Sequence, residues 1–336
     1  MPLNFEALEN TPRLLMEAHL KPLQGTRFQP TGFPNLGAAT YDGPNGERML
    51  LVESAQSMAN RLEAVCWDKA ADDWVTPLKG LPLVKVVDKN TKPLTNSVLE
   101  AHRLNSEYIA RAPEFSVIAE AIDYRPDQPF DVIQQLIPAL LRYDINSLIH
   151  GTFLEEIAGV IRFPRLLSAF IEARDVRSAQ SAGVKVNALN PGLKDGEGNV
   201  IFSREEFVSP EIVAFFNLDL AQLRAFGLDR EINNLLIGLS LYKIQAFLAF
   251  GLRLRTACDM EVKDCGIAIR RPAGYELPKL EELGDAFPRL IEEAATAAQW
   301  PKEPIERITV IVSGGSPAKS KREKNGRPAA GAEPTG

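Results

Sequence analysis

Cysteine and histidine are both scarce in this sequence, which has three residues of each type among 336. The cysteines, Cys66, Cys258 and Cys265, form no CxxC pair, and the histidines stand far apart along the chain. A zinc site requires clustered ligands of these types, and a disulfide framework requires paired cysteines. We therefore expect no metal site, no disulfide and a reducing, cytoplasmic environment.

The motifs that often mark an enzyme are also absent. The sequence has no HExxH, no GxSxG, and no GxGxxG or GxxxxGK[ST] before a helix. It therefore offers no nucleophile with an adjacent base and no phosphate-binding loop for a nucleotide cofactor. We predict a protein without a cofactor and without enzymatic activity. The alternative is a cytoplasmic metabolic enzyme whose site leaves no motif, and the negative net charge favours that alternative.

Signals for secretion or membrane insertion are missing as well. The first residues, MPLN, lack the basic and apolar regions of a signal peptide. The longest apolar stretch, residues 235–250, contains Ser240, Lys243 and Gln245 and is too short and too polar to span a bilayer. We predict a core helix there, with no membrane partner.

A positive net charge is the last missing feature. The chain carries −6, and five Lys or Arg against two Glu in residues 313–336 leave −9 for the rest. A solitary nucleic-acid-binding module usually has a basic balance. A subunit that lines RNA with one face inside a larger assembly needs only a local cationic groove, so the charge disfavours the first class more than the second.

The most informative stretch of the sequence is residues 26–61. It opens with a Pro/Gly-rich loop, RFQPTGFP, that carries a cation, an amide and two aromatic residues. Residues 49–52 read as a buried strand, and Ser54 is placed to cap the helix that follows. A helix N-terminus rich in uncharged donors, with Arg61 further along, suits a phosphate group; an ordinary capped amphipathic helix explains the same pattern.

Hydrophobic periodicity predicts an α+β fold. The predicted order is strand (14–23), helix (54–67), strand (166–174), strand (211–220), helix (229–250) and strand (252–262). This β-α-β-β-α-β order is typical of a ferredoxin-like, RRM-like fold, in which two helices cover one face of an antiparallel sheet.

Two further patterns carry polar chemistry. Residues 162–185 hold five cations against two acidic residues and form the most basic part of the folded body. Arg142, Asn146 and His150 fall at helical spacing on one stripe. That stripe is either the solvated side of an amphipathic helix or a polar face for a neighbouring subunit or an RNA strand.

Several long segments of the sequence carry a family resemblance. The RFQPTGFPNLG loop followed by LLVESAQSMANRLE resembles the backbone protein of type I-G (formerly I-U) CRISPR Cascade, a member of the RAMP superfamily of CRISPR RNA-binding proteins. Two further stretches resemble it: IHGTFLEEIAGVIRFPRLLSAFIEARDVRSAQSAGVKVNALNP and NNLLIGLSLYKIQAFLAFGLRLRTACD. The resemblance extends over about residues 14–263 and depends on long strings rather than on a short motif.

The resemblance implies one RAMP unit over residues 1–312. Its parts are a palm (about 14–67 and 162–262), a helical insertion (about 68–160), a β-hairpin thumb (about 184–203) and acidic C-terminal helices (276–298). Residues 313–336 are rich in Gly, Ser, Pro and Lys, and we predict a disordered basic tail.

The resemblance also implies function and partners. Such subunits are non-catalytic, bind CRISPR RNA and stack along it as a helical filament of copies, with the thumb of each copy reaching the next. The other partners implied are the large subunit, the RAMP subunit that processes or caps the RNA, and the target DNA strand paired to the guide. Related type III subunits cut RNA with an acidic residue, so a RAMP-type RNA endonuclease is a further alternative, although nothing singles out Asp42, Asp88 or Asp123 for that role.

Inside the matching stretches we select residues whose chemistry suits phosphate, sugar or base contact. Reversing the charge of both Arg61 and Arg255 to Glu is expected to abolish RNA-dependent assembly and to leave the monomer folded. Phe33 is a further aromatic candidate, with core packing as an equal alternative. The predicted RNA-binding residues are Arg27, Phe28, Gln29, Ser57, Arg61, Arg174, Arg177, Lys243, Arg253 and Arg255.

Overall fold

The structure is a computed structural model that describes residues 3–33, 37–155, 157, 159, 161–185, 189–190, 192, 200–300 and 308–312. Helices and antiparallel strands are mixed along the chain, so the predicted α+β class is confirmed. The predicted tail at 313–336 lies outside the described residues.

The elements are numbered in chain order. The α-helices are α1 (Ala55–Ala64), α2 (Glu107–Ala110), α3 (Phe115–Ile122), α4 (Ile137–Tyr143), α5 (Ile145–His150), α6 (Leu220–Ala225), α7 (Arg230–Phe250) and α8 (Leu280–Ala297). The strands are β1 (Arg13–Pro22), β2 (Arg27–Phe28), β3 (Gly32–Phe33), β4 (Gly37–Ala38), β5 (Thr40–Asp42), β6 (Arg48–Glu53), β7 (Trp67–Asp68), β8 (Asp73–Trp74), β9 (Val84–Asp88), β10 (Pro93–Asn96), β11 (Thr152–Leu154), β12 (Ile161–Phe163), β13 (Leu167–Arg174), β14 (Arg177–Lys185), β15 (Val200–Val208), β16 (Glu211–Asp219), β17 (Arg253–Arg255), β18 (Cys258–Arg271) and β19 (Ile308–Val312).

A seven-stranded sheet forms the centre of the fold. Its strand order is β17-β18-β1-β16-β13-β6-β5, and each neighbouring pair is antiparallel. The apolar residues that alternate along β1 are all buried, as are those along β13 and β16. This alternation places one face of the sheet against the core, as period-2 patterning requires.

Helix α7 lies on that buried face. Phe216 of β16 packs edge to face on Phe247 of α7, with ring centroids 6.5 Å apart. On the outer side of α7, Tyr242 packs on Phe287 of α8, with centroids 5.3 Å apart. Helix α7 is long and apolar enough to cross a membrane by length and composition, but 78% of its most apolar window is buried inside the fold. It is the predicted core helix.

The opposite face of the sheet has no helix on it among the described residues. Phe170 of β13 and Phe215 of β16 stack there, with ring centroids 5.0 Å apart. Both rings are half-buried and are surrounded by polar residues of the same face, including Glu17, His19 and Glu172. The structure therefore has a covered face and a more accessible one.

The predicted strand at 252–262 is wrong in one respect. The chain forms two strands there, β17 and β18, which pair as a hairpin at the edge of the sheet. Ala257 adopts a left-handed conformation with φ +59° between them. The alternation of polarity keeps the same phase on both sides of the turn, and only Thr256 and Ala257 depart from it, so the pattern alone does not reveal the turn.

A second hairpin projects from the end of β13. Its arms, β14 and β15, pair antiparallel from Arg177↔Val208 to Lys185↔Val200, and β2 pairs with the base of β15. The arms begin earlier than the thumb predicted at about 184–203, and most of that predicted range lies outside the described residues.

The predicted helical insertion contains α2 to α5 but also several short strands. Strand β9 pairs with β10 and, in parallel, with β19 from the C-terminal part of the chain. Strands β11 and β12 form a small hairpin just before β13. These elements place residues 101–103, 105, 150–153 and 162–165 beside the first turn of α1.

Candidate nucleic-acid interface

The first turn of α1 is organised by its cap and by the strand before it. The Ser54 side chain accepts a hydrogen bond from the Ser57 backbone N–H at 3.3 Å, which confirms the predicted N-cap. Met58 and Leu62 are buried on the side facing the core, while Gln56 is exposed and Ser57 is half-buried. The donors of this helix end are therefore near the surface.

Three predicted residues, Ser57, Arg61 and Arg255, meet at the carboxylate of Glu53, the last residue of β6, and a fourth, Gln29, contacts Arg255 through its backbone. Glu53 is fully buried, and it accepts a short hydrogen bond from the Ser57 hydroxyl. Arg61 lies 3.0 Å from the same carboxylate, and Arg255 makes a closer ion pair with it. Arg255 also donates to the backbone carbonyl of Gln29 at 3.2 Å. We call these five residues the Glu53 cluster.

The charges in the Glu53 cluster do not balance. Two guanidinium groups share one carboxylate, so one positive charge is uncompensated within the cluster. The side chains of Arg61 and Arg255 are 25% and 22% exposed, respectively, whereas Glu53 is not exposed. Burial lowers the pKa of both arginines from their usual value. The exposed edge of the cluster can therefore attract an anion.

The base of the β14–β15 hairpin adds two more predicted cations. Val208 pairs with Arg177 on one side and with Arg27 on the other, so the two arginines lie at the same level of this small sheet. The Arg27 side chain is 55% exposed and lies 3.1 Å from Glu206. Because Gln29 follows Arg27 by two residues, β2 connects the hairpin base to the Glu53 cluster.

Two other predicted arginines lie apart from this group. Arg174 is on the face of the sheet that carries the Phe170–Phe215 stack, where it pairs with Glu211 at 3.4 Å. Arg253 precedes Arg255 by two residues in β17, and its side chain is 80% exposed, 3.8 Å from Asp259. The structure therefore brings Arg253 near the cluster and does not bring Arg174 there.

Phe28 and Lys243 are corrected by the structure. Phe28 is 1% exposed because β2 pairs with β15 and places it beside the buried Phe207. Lys243 is fully buried in α7. Neither side chain can stack on a base or reach a phosphate in this conformation, and the side chain of Phe33 lies outside what the structure describes.

Lys243 belongs to a buried polar network. Its ammonium group is 2.6 Å from Asn146 Oδ1 and 2.9 Å from His150 Nε2. Both interpretations of the Arg142–Asn146–His150 stripe are therefore wrong for its last two members, which are buried rather than solvated. The contacts cross more than ninety residues of sequence, so helical spacing alone could not show them.

Sequence reasoning also missed Glu53 itself. A glutamate at the end of a short strand usually indicates a surface position, and only its place just before the Ser54 cap could have suggested otherwise. Its burial changes one expectation. Replacing Arg61 and Arg255 by Glu would set three carboxylates together, one of them fully buried, so the burial of Glu53 argues against the expectation that this double variant leaves the monomer folded.

Comparison with known proteins shows that part of the chain is similar to one family. Residues 14–178, slightly under half of the chain, match the model of a family described as CRISPR-associated protein GSU0053. A search of curated proteins finds no match. Two solved structures are similar at low identity. One, "CRISPR RNA-guided surveillance complex, pre-nicking", is 14% identical, with 90% of this chain and 96% of that chain covered and a TM-score of 0.42. The other, Thermofilum pendens Csc2, is 10% identical, with 87% and 83% covered and a TM-score of 0.31.

The matched family segment contains most of the candidate interface. It includes β2, α1 and Glu53, and ends at the first residues of β14. Arg255 and the second arm of the hairpin lie beyond it. Over residues 14–178, the chain is thus similar to a family of CRISPR-associated proteins.

Proposed function

We propose that this protein is a non-catalytic backbone subunit of a type I-G CRISPR surveillance complex and binds CRISPR RNA. The structural observation that carries the proposal is the Glu53 cluster, in which α1 and β17 bring two arginines to one carboxylate at the N-terminus of α1. The family match over residues 14–178 supports the same conclusion from the sequence side.

The chemistry of the cluster suits a guide whose sequence varies. Guanidinium groups and helix N-termini neutralise phosphates, which are the same at every nucleotide, and they do not read base edges. A local cationic groove is compatible with a chain of net charge −6, because only the face that lines the RNA has to be positive. Arg27 and Arg177 at the hairpin base extend this groove in the proposal, and the exposed Arg253 lies at its edge.

The strand order of the central sheet supports the palm that we propose for this chain. The four predicted core strands lie in the sheet in the order β18-β1-β16-β13. In the chain, helix α1 comes between β1 and β13, and helix α7 comes between β16 and β18. A split β-α-β arrangement of the ferredoxin-like type has this strand order. The β14–β15 hairpin takes the place of the thumb in this scheme.

Assembly follows from the same proposal. A thumb that contacts the next copy makes a heterologous contact, and repetition of such a contact produces an open helical array whose length the RNA sets. The proposed partners are therefore CRISPR RNA, further copies of the chain, the large and RNA-processing subunits and the target DNA strand, in the cytoplasm.

Co-expression tests the proposal. The full chain, purified with and without a CRISPR array and with the partner subunits, is compared with an Arg27→Gln/Arg177→Gln variant. The matched control is Arg230→Gln/Arg289→Gln, two exposed arginines in helices α7 and α8. We expect wild type and control to carry RNA only with the array and the Arg27/Arg177 variant to carry less. Wild type without RNA in every condition refutes the proposal, and Mg²⁺-dependent RNA cleavage supports the endonuclease alternative.

A further inference from the structure

A second cationic site lies on the other side of the α1 first turn. It is a cleft of about 360 Å³ between Gln56, the segment 101–105 and residues 150–153 and 162–165. Three arginines line it, Arg103, Arg162 and Arg165, and no Asp or Glu side chain does so within the described ranges. We call it the arginine cleft.

Two of the three arginines have no carboxylate partner among the described residues. Arg162 is exposed, and its guanidinium lies over the Phe153 ring, 5.4 Å from the centroid. Arg165 is half-buried and donates to the His150 backbone carbonyl at 3.2 Å and to the Gln56 side-chain oxygen. Neutral acceptors fix the orientation of Arg165 and leave its positive charge uncompensated.

Arg103 differs from the other two. Its guanidinium makes a bidentate pair with the buried carboxylate of Glu63, at 2.6 and 2.7 Å. Its charge is therefore compensated, and it forms part of the wall. Burial lowers the pKa of Arg165, the nearby Arg103 adds to this effect, and the Glu63 carboxylate acts in the opposite direction. The cleft thus has two arginines without a carboxylate partner among the described residues, Arg162 and Arg165, beside the Arg103–Glu63 ion pair.

Buried donors without partners give independent support for an anionic ligand. His150 is 1% exposed, lines the cleft, and has no partner for Nδ1 within the described residues; the hydroxyl of Thr152, another lining residue, also has none. Because the Lys243 ammonium occupies His150 Nε2 at 2.9 Å, a neutral imidazole carries its hydrogen on Nδ1. Buried polar groups of this kind are normally satisfied, so both groups are available to an acceptor that enters the cleft.

Gly151 allows two backbone segments that line the cleft to approach each other closely. This residue has φ +76°, and a Cβ atom there would lie 2.6 Å from the carbonyl oxygen of Phe163 and 3.1 Å from the backbone nitrogen of Arg165. The backbone of residues 150–151 therefore approaches that of 163–165 closely. This approach places Arg165 against His150 and Gln56.

We propose that the arginine cleft binds a backbone phosphate of the RNA strand, next to the strand's contact with the Glu53 cluster. The inference rests on the proposed function and deepens it. Gln56 bonds Arg165 on the cleft side, and the next residue, Ser57, bonds Glu53 on the cluster side. The first turn of α1 therefore has arginines on two sides: Arg165 beside Gln56, and Arg61 and Arg255 near Ser57. A phosphodiester suits the fork geometry of arginine and the lack of acidic lining.

The test uses the full chain, with its partner subunits if these are needed for RNA binding, and a labelled single-stranded RNA of mixed sequence. Affinity is measured over a range of salt concentrations for wild type, Arg162→Gln, Arg165→Gln and the control Arg289→Gln. We expect both cleft variants to weaken binding and to reduce the slope of log K against log salt by about 0.7 for each phosphate of a single strand that the variant no longer neutralises. Arg162 contacts only the Phe153 ring, so its variant remains informative if Arg165→Gln fails to fold.

Each remaining outcome has one meaning. Cleft variants with the wild-type affinity and slope overturn the inference and leave the proposed function standing. A wild type that binds no RNA refutes the proposed function as well. A thermal-shift titration with inorganic phosphate distinguishes the source of the ligand: stabilisation of wild type that is lost in Arg165→Gln, with RNA binding unchanged, shows a free-anion site and overturns the inference.

Discussion

At the residue scale, the candidate interface is centred on a buried carboxylate. Glu53 has no exposure to solvent and is held by Ser57, Arg61 and Arg255. Burying an ionised carboxylate is costly unless cations and hydrogen bonds compensate for it. We propose that the same arginines also bind RNA. They therefore have two roles: they stabilise the buried Glu53 carboxylate, and they supply the excess positive charge of the interface.

This double role predicts different effects for two neighbouring arginines. Arg255→Ala removes one of the two cations that pair with the buried Glu53 carboxylate, and should lower the free energy of unfolding by about 2–4 kcal/mol. Arg253→Ala, two residues earlier and 80% exposed, should change it by about 0.5 kcal/mol or less. Urea denaturation monitored by circular dichroism measures both values. Equal losses would show that Glu53 does not depend on Arg255.

His150 predicts a pH dependence. Burial, with Lys243 and the nearby Arg103 and Arg165, lowers the pKa of His150 well below 6.5 in the folded protein. Below pH 6.5 the unfolded chain then binds a proton that the native state does not bind, so stability falls as the pH falls.

A His150→Gln variant isolates this effect. The unfolding free energy of wild type should fall relative to that of the variant by up to about 1.4 kcal/mol per pH unit below 6.5. Chemical denaturation at several pH values measures the difference. Parallel curves for the two proteins would contradict the burial of a neutral imidazole.

At the element scale, the connection between α5 and β11 depends on one glycine. Gly151→Ala combines a positive φ with a Cβ that would lie 2.6 Å from Phe163 O, and we expect a loss of roughly 2–5 kcal/mol. Gly25 also has a positive φ, +69°, but a Cβ atom there would have no neighbouring atom within 4 Å, so Gly25→Ala should cost about 1–2 kcal/mol. Thermal unfolding of both variants tests the difference, and similar losses would show that the close approach at Gly151 is unimportant.

Strands and helices of the core could be predicted because their periodicity is strong. β1, β13 and β16 bury alternate residues, and α7 is apolar around most of its surface. The division between β17 and β18 could not be predicted, since the alternation of polarity keeps its phase across the turn and only Thr256 and Ala257 depart from it. Local patterns identify elements well and identify tight turns poorly when no Gly or Pro marks them.

The candidate site could be predicted only in part, for a related reason. Gln29, Ser57, Arg61 and Arg255 were selected by residue type, and the structure brings them together. Lys243 was selected by the same criterion, but it is buried between helices, where it contacts Asn146 and His150 of α5. Residue type indicates which chemistry is available, whereas the tertiary fold decides which side chains reach the surface.

At the scale of the whole molecule, a net charge of −6 coexists with two local cationic sites on either side of the α1 first turn. Such a distribution suits a subunit that needs RNA to overcome repulsion between copies. We therefore expect higher salt to weaken RNA binding without unfolding the protein, because it screens phosphate contacts more than the buried core. Sizing in increasing NaCl, with circular dichroism as the control, checks this expectation; an assembly indifferent to salt would contradict a phosphate-based interface.

The most direct measurement is the ratio of absorbance at 260 and 280 nm across a sizing column, for the full chain expressed with its partner subunits and with or without a CRISPR array. A backbone subunit should elute in large particles that carry RNA of discrete length only when the array is present. Protein that remains free of nucleic acid under both conditions would contradict the central claim that this chain assembles on CRISPR RNA.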